Sequence, residues 1–303
     1  VTAGRGAAGP VDPAGAVGAV DAVDAVDHYG VIGHPVAHSK SPEIHAAFAR
    51  QTGQRIAYAR CPAPLDGFAA TVRALREQGY KGLNVTVPFK LEAADLADSL
   101  SARARAAGAV NTLLFSDAGI EGENTDGAGL VADIVDNAGL ALAGRRILLL
   151  GAGGAARGAL LPLLHQGPDQ IVIANRGAAS AHALAAHFGA HAGRAGQVQG
   201  CAMDAIDGAF DLVINATSAS LAAAVPAVPA GAFKPGALAL DMMYGREPTP
   251  FMAFAAGHGA IARDGLGMLV GQAAEAFYLW RGVRPDARAV LEQLRAQAAL
   301  DPR

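Results

Sequence analysis

The chain reads as an α/β protein of two open-sheet domains with a cleft between them. Three observations point there. Its 303 residues suit two domains of ordinary size. From Tyr29 onward, short apolar runs alternate with helical patterns, which is the texture of βαβ units on parallel sheets. Midway, an apolar run meets the turn Gly151-Ala152-Gly153-Gly154 and passes straight into a helical pattern.

The elements follow in order. Residues 1–28 are built largely from Ala, Gly, Val, Pro and Asp, with Ala-Val-Asp repeated at 22–24 and 25–27, and read as a disordered extension. Residues 29–32 form a strand, and Ser41-Pro42 opens a helix to Thr52, with Ser41 as N-cap and Pro42 at the first helical position. Strand 56–60, helix 65–78 and strand 82–87 come next, then a mostly helical 89–107 and a strand over 109–115. A second series has strand 147–150, helix 154–165, strand 171–174 and helix 178–188. Short strands over 211–215, 238–242 and 260–262 and two helices, 268–280 and 287–299, complete the chain.

Composition narrows the function classes. Hydrophobic residues make up 52% and charged residues only 17%, and mean hydropathy is +0.26. The excess is largely Ala and Gly, and no stretch matches a spanning helix of about 20 apolar residues. The best stretch, 147–164, is broken by Gly151, Gly153, Gly154 and Arg157. Net charge is −3 with no Lys/Arg cluster, which argues against nucleic acid as a partner. Cys61 and Cys201 lack metal-type spacing and suit a reducing cytoplasm, and Asp12, Asp21, Asp24 and Asp27 interrupt any leader-like apolar run. Nine histidines invite a metal reading, but His34, His38 and His45 show no ligand spacing, so no metal is expected. His182 and His187 read as solvated, Cys61 as structural and Trp280 as packing.

Gly151, Gly153 and Ala156 fit G-x-G-x-x-G/A between a strand and a helix. The first glycine permits the tight turn, the second lets backbone approach a pyrophosphate, and the helix start offers free N–H groups. This marks a Rossmann-like dinucleotide site. The next strand ends Ala174-Asn175-Arg176, without the acidic residue that holds an NAD ribose. Arg176 suits a 2′-phosphate, which favours NADP, although a solvated loop arginine would look the same.

Three polar segments stand out against the bland background. His38-Ser39-Lys40-Ser41-Pro42 sets two hydroxyls at a helix entrance, fit for a carboxylate or simply for capping. In Asn84-Val85-Thr86-Val87-Pro88-Phe89-Lys90, strand alternation puts Asn84 and Thr86 on one face, with Lys90 past the strand's C-terminal end, where α/β ligands bind. Asn124-Thr125-Asp126-Gly127 marks a turn toward the second domain, or a helix cap.

Together with Val31-Ile32-Gly33-His34-Pro35, Gly108-Ala109-Val110-Asn111-Thr112, Asn215-Ala216-Thr217-Ser218, Asp241-Met242-Met243-Tyr244 and Asp264-Gly265-Leu266-Gly267-Met268-Leu269-Val270, these segments closely resemble the shikimate dehydrogenase family from about Tyr29 to the C-terminus. The resemblance implies reversible NADPH-dependent reduction of 3-dehydroshikimate to shikimate. By position it implies Lys90 and Asp126 as the catalytic pair, with Ser39, Ser41 and Tyr244 at the substrate carboxylate. Thr86, Asn111, Asp126 and Gln272 would meet the substrate hydroxyls. Gly151, Ala152, Gly153, Gly154, Ala155, Asn175, Arg176, Met242 and Gly265 would line NADP. It also implies a substrate domain over 29–125 and 266–303 and a Rossmann-like NADP-binding domain over 126–265, in a cytoplasmic monomer or homodimer.

The chain departs from the family pattern at two places. A second arginine expected three positions after the loop's Gly177 is Ser180, which weakens the NADP preference, and Ser220 stands where glycine is common. Two alternatives stay open: a quinate/shikimate dehydrogenase using NAD, and a non-catalytic sensor of a related metabolite.

Overall fold

The structure, a computed structural model, describes residues 26–300. The first part runs β1 (Asp27–Gly33), α1 (Ser41–Thr52), β2 (Ile56–Pro62), α2 (Phe68–Glu77), β3 (Tyr80–Val85), α3 (Lys90–Leu96), β4 (Ser99–Leu100), α4 (Ala102–Ala107), β5 (Thr112–Ser116) and β6 (Gly119–Glu123). Next come α5 (Asp126–Ala132) with a π-helical turn Asp133–Asn137, β7 (Arg146–Leu150), α6 (Gly154–His165), β8 (Gln170–Asn175) and α7 (Ala178–Gly189). The remainder is β9 (Val198–Ala202), β10 (Phe210–Asn215), β11 (Phe233–Asp241), α8 (Pro250–Gly257), β12 (Ile261–Arg263), α9 (Leu266–Arg281) and α10 (Ala287–Leu300).

Two six-stranded sheets result, ordered β2-β1-β3-β5-β6-β4 and β12-β11-β10-β7-β8-β9. The second is parallel throughout. Its central strand β7 is buried on both faces: Ile147 and Leu149 join one core and Leu148 and Leu150 the other, all with zero exposure. Each such side chain contributes about 1.5–3 kcal/mol of burial free energy. Strand order reverses between β7 and β10, so a crevice opens at their C-terminal ends, where Gly151 and Ala216 follow.

The first sheet is mixed, not parallel as the alternation suggested, because β5 runs antiparallel to both β3 and β6. The expected 109–115 strand starts only at Thr112 and returns as a hairpin through β6. The expected 89–107 helix is cut by β4, which pairs with β6. Strand β3 stops at Val85, so Thr86 lies past the strand end. Ser41 is the first helical residue of α1 and Lys40 the cap position, without a side-chain cap bond. Of the extension expected over 1–28, residues 1–25 lie outside the described residues, while Asp27 and His28 pair in register with Ile56 and Ala57. The Asp27 carboxylate also pairs with Arg281, which helps hold α9 to this sheet. Strand β9 and helix α8 were not anticipated, and β11 begins at Phe233 rather than near Leu238.

Helices α1, α9 and α10 share one core, with Ile44, Phe48, Val270, Phe277 and Leu291 buried together. Trp280 packs as expected: it stacks on Tyr29 at 4.7 Å and its indole N–H donates to the Leu113 carbonyl. Helices α5 and α9 cross in backbone contact, since a Cβ on Gly129 would lie 2.3 Å from the Gln272 nitrogen. Beside that crossing, buried Asp133 accepts two hydrogen bonds from Arg263. This clasp brings the start of α5 and the middle of α9 to the C-terminal edge of the first sheet.

Candidate active site

Three strand ends converge at that edge. Lys90 opens α3 just beyond β3, Asn111 immediately precedes β5, and Asp126 opens α5 just beyond β6. The Lys90 ammonium donates to Asp126 Oδ2 at 2.5 Å, with the lysine side chain 24% exposed and the aspartate 8%. Asn111 Nδ2 donates to Asp126 Oδ1 at 2.9 Å and also reaches Thr125 Oγ1 and Gln272 Oε1. The other face of the Asn111 amide is equally occupied, its Oδ1 accepting from the Thr125 N–H and the Thr112 hydroxyl. Asp126 is therefore fixed at both oxygens, one facing a buried amide and one a half-open ammonium. A charge-assisted contact in such a setting is stronger and more directional than a surface ion pair.

A second polar row leads to the helix entrance. Tyr58 donates to Asn84 Oδ1 at 2.7 Å, and Asn84 Nδ2 donates to Thr112 Oγ1 at 3.1 Å, joining the Asn111 network. Burial pushes the Tyr58 phenol well above its ordinary value, the neighbouring Ser41 hydroxyl opposing it, so Tyr58 is a permanent donor. Ser39 donates to Ser41 at 3.1 Å, and its oxygen accepts from the Ser41 N–H, replacing the expected cap. Tyr244 is raised by burial and by the Glu43 charge, and it packs against the α1–α9 core beside this entrance.

His45, one helical turn after Ser41, lies face to face with Tyr58 at 4.2 Å and is completely buried. Neither ring nitrogen has a hydrogen-bond partner among the described residues. Burial lowers its pKa to about 3, with nearby Asn84 opposing the shift. The unfolded chain would protonate this ring near pH 6.5 while the fold keeps it neutral. Its contribution is thus complete above that pH and is lost as pH falls toward 3. His45→Phe should remove about 2 kcal/mol from the drop in unfolding free energy between about pH 7 and about pH 5. Urea unfolding at both pH values measures this; equal pH slopes for the two proteins would contradict it.

On the second sheet, Gly151 holds φ +105°, a conformation closed to L side chains, and Ala216 and Thr217 pack against it. Gly153 and Gly154 face open space, so a backbone-hugging anion would meet no Cβ there. The first intrahelical bond of α6 comes from Arg157 N–H to the Gly153 carbonyl, which leaves the N–H groups of Gly154, Ala155 and Ala156 available. Strand β8 ends at Asn175, whose amide braces the Gly177 carbonyl, and Arg176 is exposed, with no Asp or Glu in the stretch 174–180 that leaves the strand. Met242 and Gly265 touch, since a Cβ on Gly265 would lie 2.1 Å from the Met242 carbonyl. These residues fit a dinucleotide, with the glycine turn as the phosphate cradle.

The structure thus brings Lys90, Asp126, Asn111 and Gln272 into one hydrogen-bonded group, and Ser39 and Ser41 into another. Thr86 joins neither through a side-chain bond; its backbone holds the turn by pairing with Ile32 and Phe89. Tyr58, Thr112, Thr125 and His45 were not anticipated, and Asn84 had no assigned role. Thr112, Thr125 and Asn84 lie in the segments singled out in the sequence, whereas Tyr58 and His45 carry no such signal. His182 and His187 are exposed as expected, and His187 also bonds to the Ala106 carbonyl at the end of α4.

Comparison with known proteins places this geometry in context. Residues 31–113 match the model of the shikimate dehydrogenase substrate binding domain. Residues 132–226 match shikimate / quinate 5-dehydrogenase, and 265–295 the shikimate 5′-dehydrogenase C-terminal domain. The chain is 60% identical over 268 residues to a shikimate dehydrogenase (NADP(+)) of Janthinobacterium sp., covering 88% of this chain and 97% of that one. The corresponding protein of Cupriavidus necator is 58% identical over 274 residues, 88% of this chain and 93% of the relative. A Thermus thermophilus shikimate 5-dehydrogenase, solved with NADP(H) and shikimate, superposes with a TM-score of 0.77 at 32% identity, over 90% of this chain and 100% of that one. A 5-ketofructose reductase from Gluconobacter superposes equally well, at a TM-score of 0.78 and 29% identity over 90% and 99% of the two chains. Fold alone therefore does not name a substrate.

Proposed function

The chain belongs to the shikimate dehydrogenase family, and on that premise we propose that it catalyses the reversible NADP-dependent interconversion of 3-dehydroshikimate and shikimate, a step toward aromatic amino acids. The observation that carries the reading is the Lys90–Asp126 pair, held by Asn111 at the edge of the substrate-side sheet. NADPH, when bound, supplies the hydride for the C3 carbonyl carbon.

The side chains divide the remaining work. As the carbonyl oxygen gains negative charge, the Lys90 ammonium stabilises it and transfers a proton to it. Asp126 Oδ2 keeps Lys90 aimed and stabilises its charged form between turnovers. Asn111, whose amide hydrogens already serve Asp126 and Thr125, acts first as the group that orients Asp126. Gln272 and Thr86 are the groups left to meet ring hydroxyls. Ser39 and Ser41 bind the carboxylate by hydrogen bonding, and Tyr244, kept protonated by burial, adds a donor.

Gly151, Ala152, Gly153, Gly154 and Ala155, at the turn and helix start, would hold the pyrophosphate of NADP. Asn175 and Arg176 would serve its adenosine part, and Met242 and Gly265 its nicotinamide. The bare end of β8 supports NADP, because a carboxylate there would repel a 2′-phosphate. Arg176 provides one guanidinium for it where two are usual. The step belongs to the cytoplasm, where the thiols of Cys61 and Cys201 remain free, in a monomer or homodimer.

The test is a spectrophotometric comparison of kcat/KM for shikimate and quinate, each with NADP and with NAD. Shikimate with NADP should lead. A lead for quinate with NAD would replace this reading with the broader family activity. Binding of shikimate without turnover under any pairing would make the chain a sensor.

A further inference from the structure

Ser220 occupies a place where the resemblance leads one to expect glycine, and its surroundings give it a task. It sits in a single 3-10 turn, Ala219–Ala222, that follows β10. The Ser220 hydroxyl donates to Asp241 Oδ2 at 2.6 Å. Asp241 ends β11, is fully buried, and pairs in register with Asn215 at the end of β10. The same Oδ2 accepts the Thr249 hydroxyl at 2.6 Å, while Oδ1 accepts the Met243 N–H at 3.0 Å. One buried carboxyl group therefore ties together three segments: the 3-10 turn, the stretch after Met242, and the start of α8.

The near side of this loop is also fixed. Thr217 donates to Asn215 Oδ1 through both its N–H and its hydroxyl, and Asn215 Nδ2 reaches Ser220 Oγ at 3.4 Å. Thr217 Cγ2 lies 3.2 Å from where a Gly151 Cβ would stand, so the tethered loop borders the dinucleotide turn. Glycine at 220 would leave the loop attached at Thr217 only. Serine adds a second attachment, three residues further along.

We propose that Ser220 is a positioning residue for the cofactor: by bonding Asp241 it holds the loop 217–222 as a fixed wall beside the dinucleotide turn and keeps it in step with Met242. The proposal rests on NADP binding at Gly151–Ala155. Its consequence is pre-organisation, because a loop ordered before the dinucleotide arrives loses less entropy when it binds.

Three variants test this in the full chain: Ser220→Ala, Ser220→Gly and Ser220→Thr. Calorimetric titration with NADP+ should show Kd raised about three- to tenfold in the first two, the range expected for one buried hydrogen bond. KM for shikimate should be unchanged and Ser220→Thr should restore binding. Hydrogen exchange in the cofactor-free protein should show lost protection at Ala219, Ala223 and Ala224, whose N–H groups close this turn. Unchanged exchange in Ser220→Ala would refute the tether. Faster exchange with unchanged NADP+ affinity would refute the link to the cofactor. A parent protein that did not bind NADP+ at all would instead overturn the functional reading above.

Discussion

Replacing Lys90 with methionine should lower kcat for shikimate oxidation by about 10²–10⁴-fold, the range that a positioned acid–base group contributes. KM for NADP should stay unchanged, because Lys90 opens α3 at the edge of the first sheet and the dinucleotide turn follows β7 of the second. Methionine keeps most of the alkyl stem, so packing around the start of α3 is retained and the lost element is the ammonium. Asp126 loses its cation but keeps the hydrogen bond from Asn111, which limits the cost of a carboxylate that is only 8% exposed. Steady-state kinetics and shikimate titration of the same preparation separate the two effects. A variant that binds shikimate and turns it over like the parent would remove Lys90 from the chemistry.

That lysine also shows how unevenly the molecule could be read in advance. The opening of the nucleotide half was legible: the turn at Gly151 and helix α6 fall where glycine spacing and apolar periodicity put them. There local chemistry and global fold agree, since a tight turn, a buried parallel strand and an exposed helix start each demand a recognisable residue type. The first half was harder to read. Helix-compatible alanines and arginines run from Lys90 to Ala107, and nothing local announces that Ser99 and Leu100 leave the helix to pair with β6. Strand β6 was hidden for a related reason, because Gly119–Glu123 carries no apolar run long enough to show alternation.

The site divides in the same way. Lys90 and Asp126 are 36 residues apart, and no spacing rule joins them; the family resemblance did. The groups that hold them are buried polar side chains, whose value lies in the partners they find across strands. Asn84 and Asn111 sit at matching ends of β3 and β5, yet only the antiparallel pairing of those strands makes Thr112 the link between them. Tyr58 and His45 belong to elements that look like ordinary core from sequence alone. Their role is visible once the rings are seen to stack and the phenol to reach Asn84.

Exchange of Asp126 for asparagine should be nearly as damaging as loss of Lys90, although it removes only one charge and no volume. Oδ1 now accepts from Asn111 and Oδ2 accepts from Lys90. An asparagine has one oxygen and one NH2, so either orientation sets a donor against a donor. If its oxygen faces Asn111, its NH2 confronts the Lys90 ammonium; if it is flipped, it confronts the Asn111 amide. Lys90 is thus released from its aim or Asn111 is left with a buried unmatched N–H, which costs about 1–3 kcal/mol. Kcat should fall about 10²–10³-fold, with KM for NADP unaffected. Because both residues act on one proton transfer, the double variant Lys90→Met/Asp126→Asn should be scarcely slower than Lys90→Met alone. A double variant whose loss equals the product of the two single losses would show that the residues act independently, and Asp126 would then need a role other than steering Lys90.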